Sequence, residues 1–173
     1  MSLSYDHLKL IIQRFDAYVT ASNTKAAFLL AFNTFICGGI LTGYKTIISL
    51  GSKSYQIPIN IILILIFVIG VLCLFFVLRA MYPYMNSGNS STDKYHSLIF
   101  FKSVSEFSSS HDYLKKLKEQ SDDDVLEDLA KQIHAVGSGL QKKYQFIEYA
   151  TTTIYGQLCL ILALVAVFII DKI

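Results

Sequence analysis

The sequence predicts an all-α membrane protein with three transmembrane helices, an amphipathic N-terminal helix and a long cytoplasmic helical stalk continuous with the third span. Three stretches contain no Asp, Glu, Lys or Arg, namely 26–44, 54–78 and 149–170. Each is close to the roughly 20 apolar residues that a helix needs to cross the hydrocarbon core of a bilayer. Charged residues make up 16% of the chain, against about 25% in soluble domains.

The alternative for these stretches is three core helices of a soluble bundle. Such helices would show a polar face at helical spacing, whereas 54–78 and 149–170 are almost entirely aliphatic and aromatic. The first stretch is interrupted by Asn33, Thr34 and Thr42, and polar residues in a membrane helix normally face protein. We therefore expect it to pack against the other spans. Asn33 is the intramembrane polar residue of interest, as an interhelical hydrogen bond or as a pore or gating element.

Lys and Arg outside the spans predict the orientation. Residues 1–25 hold three and 79–148 hold nine, whereas 45–56 hold two and the end of the chain one. Cytoplasmic loops carry the excess of Lys and Arg, which places the N-terminus in the cytoplasm and the C-terminus outside, in the periplasm. The segment 79–148 also holds ten acids, so no nucleic-acid-binding stripe is indicated.

The same pattern divides the chain into four parts. They are a cytoplasmic amphipathic helix at 1–24, a transmembrane helical hairpin at 25–82, a cytoplasmic helical region at 83–148 and a third transmembrane helix at 149–173. The polar run Ser22-Asn23-Thr24-Lys25 predicts a cap or slight break between the first helix and the first span.

Within the cytoplasmic region, 97–104 fits either a short strand or a buried helical turn. Ser109 or Ser110 can cap a helix over 111–119, and Ser121 with three following Asp residues marks a second helix start. No break follows through Ile170. Apolar residues recur with nearly a heptad period from 126 to 147, which predicts pairing with a second copy of the chain. Gly137 and Gly139 interrupt this seam as a packing notch or a hinge.

The sequence shows no convincing catalytic or metal-binding motif. It contains no recognisable pair of catalytic carboxylates, nucleophile elbow, phosphate loop or metal-ligand cluster. The acidic run 122–124 is better explained as a helix start than as a metal site. We therefore expect a protein that is not an enzyme, with no catalytic residue, no metal and no resident cofactor.

Five segments, taken in order along the chain, resemble one known family. They are RFDAY at 14–18, NTKAAFLLAFN at 23–33, LIFF at 98–101, LEDLAKQIH at 126–134 and KKY at 142–144. Together with the positions of the spans, they resemble the membrane effectors of Pycsar anti-phage defence. Where the family is expected to carry an acid ahead of the Lys25–Ala26 pair, this chain has Asn23, which removes an ion pair with Lys25.

The resemblance implies a bacterial inner-membrane effector that acts with a nucleotide cyclase. In such systems the cyclase makes cyclic CMP or cyclic UMP after infection, and the effector damages the membrane, so that the cell dies or stops growing. The expected partners are the lipid bilayer, further copies of the chain and the cyclase. The alternative is a constitutive structural or regulatory membrane subunit, or a holin-like pore.

Candidate contacts for an anionic nucleotide are basic residues near the cytoplasmic side and aromatic residues that can stack on a base. They are Arg14, Lys25, His134, Lys142 and Lys143 for the phosphate, and Phe100, Phe101 and Tyr144 for the base.

Overall fold

A computed structural model of the protein describes residues 5–82 and 96–173, and within them every regular element is a helix. The helices are α1 (Tyr5–Leu50), α2 (Gln56–Met81), α3 (Phe101–Ser105), α4 (Ser110–Lys118) and α5 (Asp122–Lys172). Helices α1, α2 and α5 are long and apolar enough to cross a membrane. The predicted all-α class with three candidate spans is confirmed.

The chain forms two compact units, and α1 and α5 contribute residues to both. The first takes in Met1–Ala21 and Pro83–Lys142, and we call it the polar unit. The second takes in Ser22–Tyr82 and Lys143–Ile173, and we call it the membrane unit because it holds all three charge-free stretches.

The expected cap or break at residues 22–25 is wrong, because α1 continues through it as one helix of 46 residues. The run contains neither Pro nor Gly, the two residues that most readily end a helix. Its polar side chains also have surroundings that suit a helix interior. Ser22 is 1% exposed, and the Asn23 side chain accepts a hydrogen bond from Lys143 of α5.

The membrane unit has two apolar core clusters, one towards each end. The first contains small and aliphatic residues from all three helices: Ala26, Cys73, Val77, Ala80, Ile147, Ala150 and Ile154. The second contains Ile59, Leu63 and Leu164. Large apolar side chains cover the outside, and Phe35 is 79% exposed. An apolar exterior around a filled interior suits a lipid solvent rather than water.

The turn between α1 and α2 is tied to the end of α5. The Asp171 carboxylate accepts hydrogen bonds from the Ser52 backbone N–H at 2.8 Å and from its hydroxyl. We call this the turn end of the membrane unit, and the opposite end, which carries Lys143, the lysine end.

In the polar unit, the predicted helix starts are confirmed. Ser109 caps α4, its hydroxyl accepting from the Asp112 N–H at 3.1 Å. Ser121 caps α5 in the same way, its hydroxyl accepting from the Asp124 N–H at 3.3 Å, and the Asp124 carboxylate accepts from the Ser121 N–H and hydroxyl. The ambiguous segment 97–104 contains a helical turn, α3, rather than a strand.

Helix α5 runs unbroken through the two glycines of the predicted seam. A Cβ placed on Gly137 would lie 3.4 Å from the ring of Phe15, so the helix surface is closely approached there by an aromatic side chain of α1. This contact favours the packing-notch interpretation over the hinge.

Candidate functional site

A buried carboxylate fixes the loop that precedes α3. Asp128 of α5 is 2% exposed. It accepts hydrogen bonds from the Ser97 hydroxyl at 2.7 Å and the Leu98 N–H at 2.9 Å. The Ser97 oxygen accepts in turn from the N–H groups of Ile99 and Phe100. One side chain therefore holds four consecutive residues on α5. We call these residues, 97–100, the Asp128 loop.

Two predicted stacking residues lie at the end of this loop. The rings of Phe100 and Phe101 are 4.9 Å apart, and Phe101 is 63% exposed. The Tyr113 hydroxyl of α4 donates to the Leu98 carbonyl at 2.9 Å, which braces the loop from a second helix. An exposed ring directly after a braced loop is suited to stacking on a planar ligand.

Replacing Asp128 with alanine is expected to lower the free energy of unfolding by about 2–3 kcal/mol, because it leaves buried donors of Ser97 and Leu98 without their acceptor. Denaturant unfolding of the detergent-solubilised protein would measure it. The matched control is Glu127→Ala, which removes an exposed ion pair to Lys131, a kind of pair that contributes at most about 1 kcal/mol. Equal losses in the two variants would contradict the anchoring role.

The basic candidates of the polar unit lie on two helices. Arg14 of α1, with His7, Leu10 and Ile11, lines a surface depression of about 430 Å³. His134 and Lys142 are exposed on α5. Their shared role in holding a phosphate stays a prediction.

Lys143, at the lysine end of the membrane unit, has an interior position. It is 6% exposed. Its ammonium group donates to the Asn23 side-chain oxygen at 3.0 Å and to the Ala80 carbonyl at 2.7 Å. Burial lowers the pKa of this ammonium below its ordinary value. One side chain of α5 thereby joins α1 and α2. Ala80 lies in the last turn of α2, where backbone carbonyls lack a partner within the helix and a nearby cation is favourable.

Two other candidates, Lys25 and Tyr144, are brought together at the same end. The Lys25 ammonium lies 5.4 Å from the centroid of the Tyr144 ring, a cation–π distance. Lys25 also lines a groove of about 450 Å³, together with Phe28, Leu29, Phe32, Ile147 and Thr151. The aromatic ring therefore already has a cation beside it.

A polar cluster lies between the two apolar cores of the membrane unit. The Asn33 amide of α1 donates to the Gly70 carbonyl of α2 at 3.1 Å, the interhelical hydrogen bond expected from the sequence. The Gln157 amide of α5 donates to the Ile66 carbonyl at 3.3 Å. Cys37 lies between them, its sulfur 3.7 Å from the Asn33 oxygen and 3.8 Å from the Gln157 nitrogen.

Sequence reasoning missed Gln157 and Gly70. Gln157 is the one amide side chain in the stretch 149–170, which is the signal that could have identified it, because polar residues within a span are costly and face protein. Gly70 gave no such signal. A Cβ there would collide with the Cys37 sulfur and lie 2.8 Å from the Gln157 amide nitrogen.

Comparison with known proteins gives one consistent result. Residues 7–170 match the Pycsar effector protein domain. The chain is 26% identical over 165 residues to the Pycsar effector protein EcPycTM of Escherichia coli, and the match covers 93% of this chain and 88% of the relative. No solved structure matches the chain. The similarity begins in α1 and ends in α5, so it takes in residues of both units.

Proposed function

Because the chain belongs to the Pycsar effector family, we propose that it is the membrane effector of an anti-phage system that is triggered by cyclic CMP or cyclic UMP and that impairs the bacterial inner membrane. The observation that carries the proposal is the continuity of two helices. Helices α1 and α5 each run without a break from the polar unit into the membrane unit. A ligand that changes helix packing in the polar unit thus acts on helices that also form spans.

The trigger would bind to the polar unit. The exposed ring of Phe101, which directly follows the loop braced by Asp128 and Tyr113, offers a surface for the pyrimidine. The single negative charge of a cyclic phosphate requires a nearby cation, for which Arg14, His134 and Lys142 are the candidates in this unit. Lys143 is a weaker candidate, since its ammonium is already held by Asn23 and Ala80.

Activation would be a shift between two packings of the same helices. A ligand shifts such an equilibrium only by its difference in affinity for the two states. The protein would have a closed and an open arrangement of α1 and α5. The trigger would therefore bind the polar unit more tightly in the open arrangement than in the closed one. Without the trigger, the closed arrangement would dominate and the protein would be harmless.

Membrane damage would require several copies. The interior of the membrane unit is filled by side chains such as Ile59, Leu63 and Ile66, each at most 1% exposed. In the closed arrangement, three helices around such a core leave no aqueous path, so a conducting path would need the open units of several copies. Association through the heptad-like seam of 126–147 stays a prediction from the sequence, because Leu129, Leu140 and Ile147 are buried within the chain itself. The count of Lys and Arg supports a cytoplasmic polar unit.

The test is membrane potential in bacteria that express the chain, with and without a co-expressed pyrimidine nucleotide cyclase. We expect depolarisation only when both are present, and none with a cyclase that makes cyclic AMP. Depolarisation without any cyclase would indicate a constitutive pore. An unchanged potential in every case would favour a structural subunit and contradict the proposal.

A matched pair of variants tests the trigger site. Lys142→Gln removes a candidate phosphate contact, whereas Lys172→Gln removes the lysine at the far end of α5. Nucleotide binding to the purified protein, measured by calorimetry, should weaken in the first variant and not in the second. Equal affinities would exclude Lys142 from the site.

A further inference from the structure

The polar cluster of the membrane unit contains a buried acceptor that the protein does not satisfy. The Gln157 side chain is fully buried, and no donor from the described residues reaches its Oε1 atom. In the hydrocarbon region each unsatisfied polar group costs several kcal/mol, since lipid offers no hydrogen bonds. A leucine would occupy a similar volume without this cost. Gln157 therefore weakens the closed packing of the three helices.

The one hydrogen bond from this amide to an oxygen is long. The Gln157 amide nitrogen is 3.3 Å from the Ile66 carbonyl oxygen, whereas the mode for an N–H···O bond is about 2.9–3.0 Å. Its other contact is with the Cys37 sulfur, a weak acceptor, at 3.8 Å. The groups of the cluster are uncharged amides, backbone carbonyls and a thiol. Gly70 brings the α2 backbone up to the side chains, leaving no room for a Cβ.

We propose that this cluster is a hydration site and the point at which the membrane unit opens: Gln157 Oε1 accepts a hydrogen bond from water, and the helices separate there first. Water is the fitting ligand because it is a small neutral donor, and it is bound in protein interiors by two to four polar partners. The Asn33 and Gln157 oxygens supply acceptors, while the apolar clusters above and below supply none. Opening at this level would replace long contacts with full hydrogen bonds to water.

The link from this opening to an infection signal rests on the proposed function, whereas the hydration of the cluster does not.

The experiment uses Cys37 as the reporter, since its sulfur contacts both amides. Cys73 and Cys159 are the other two cysteines, and a Cys73→Ala/Cys159→Ala background leaves Cys37 alone. A charged maleimide reacts only with a thiol that meets water. Its rate of reaction in membrane vesicles without any nucleotide reports spontaneous opening.

In that background, Gln157→Leu is expected to slow Cys37 labelling about tenfold, which corresponds to 1.4 kcal/mol in an opening equilibrium. The control is Thr152→Val, in the same span, where an exposed hydroxyl bonds only its own helix at Glu148. It should leave the rate unchanged. Equal labelling rates in the Gln157→Leu variant and its parent would overturn the proposal. It would also be overturned if Cys37 were never labelled in the folded protein but were labelled in a urea-unfolded sample.

Depolarisation in cells separates this inference from the proposed function. If the cyclase causes depolarisation but Gln157→Leu labels like its parent, the function stands and the hydration site is wrong. If labelling slows as expected but no nucleotide depolarises the cells, the hydration site stands and the trigger is wrong.

Discussion

Alanine at position 70 is expected to destabilise the membrane unit by about 1–3 kcal/mol, the usual cost of overpacking a filled core. The added Cβ would overlap the Cys37 sulfur and crowd the Gln157 amide. These groups must rotate, and the Asn33–Gly70 hydrogen bond of 3.1 Å lengthens with them. The gain in helix propensity from Gly to Ala, up to about 1 kcal/mol, offsets only part of this cost.

The chain offers a matched control and a rescue for this variant. A Cβ on Gly39 would meet no atom within 4 Å, so Gly39→Ala should be neutral or slightly stabilising. Adding Cys37→Ala to Gly70→Ala removes the sulfur that the new Cβ overlaps, and it should recover part of the lost stability. Thermal unfolding in detergent measures all three. Similar midpoints for the two glycine variants would mean that the helices do not approach closely at Gly70.

The same variant bears on the proposed activity. Because Gly70→Ala disturbs the closed packing and leaves the polar unit unchanged, it should lower the amount of nucleotide needed for depolarisation, or cause depolarisation without it. If Gly70→Ala were less stable in detergent but left the nucleotide dependence of depolarisation unchanged, the close packing at Gly70 would matter for stability and not for opening.

The sequence predicted the elements of the fold because their signals are local. Lack of charge over about 20 residues marked each span. A capping serine marked the start of α4, and a serine followed by three acids marked the start of α5. The break expected at Ser22–Lys25 was wrong because polar residues in a helix can be satisfied from outside the helix. The partner there is Lys143, 120 residues away from Asn23 along the chain, and no local pattern reveals it.

The candidate sites were harder to predict for the same reason. Basic residues near the membrane look alike in the sequence, yet Lys143 is buried against two carbonyl-type oxygens and its neighbour Lys142 is exposed. Asp128 gave no sign that it anchors a loop 30 residues earlier. Burial and long-range hydrogen bonds depend on how the helices pack, whereas composition and periodicity describe one helix at a time.

Removal of the Lys143 side chain is expected to lower the free energy of unfolding by about 2 kcal/mol. Lys143→Ala removes two hydrogen bonds from a charged donor, each contributing about 1.5–3 kcal/mol, and leaves the Ala80 carbonyl unpaired at the end of α2. Part of this loss is offset, because burial of the ammonium is itself unfavourable, as its lowered pKa indicates. Lys142→Ala, on the exposed neighbour, should change stability by less than about 1 kcal/mol.

A second substitution distinguishes a specific contact from general packing. Asn23→Asp places a carboxylate where the amide oxygen now accepts from Lys143 at 3.0 Å, and charge-assisted hydrogen bonds are about twice as strong as neutral ones. It should raise stability by about 0.5–1 kcal/mol, discounted for the exposure of residue 23. The gain should vanish when Lys143 is also replaced by methionine. A gain that persisted without Lys143 would assign the acid to Lys25 instead, in the ion pair that the family resemblance implies and that Asn23 removes from this chain. A gain in stability that disappeared without Lys143 would establish that an acid at position 23 acts across helices, on the lysine at this end of the membrane unit.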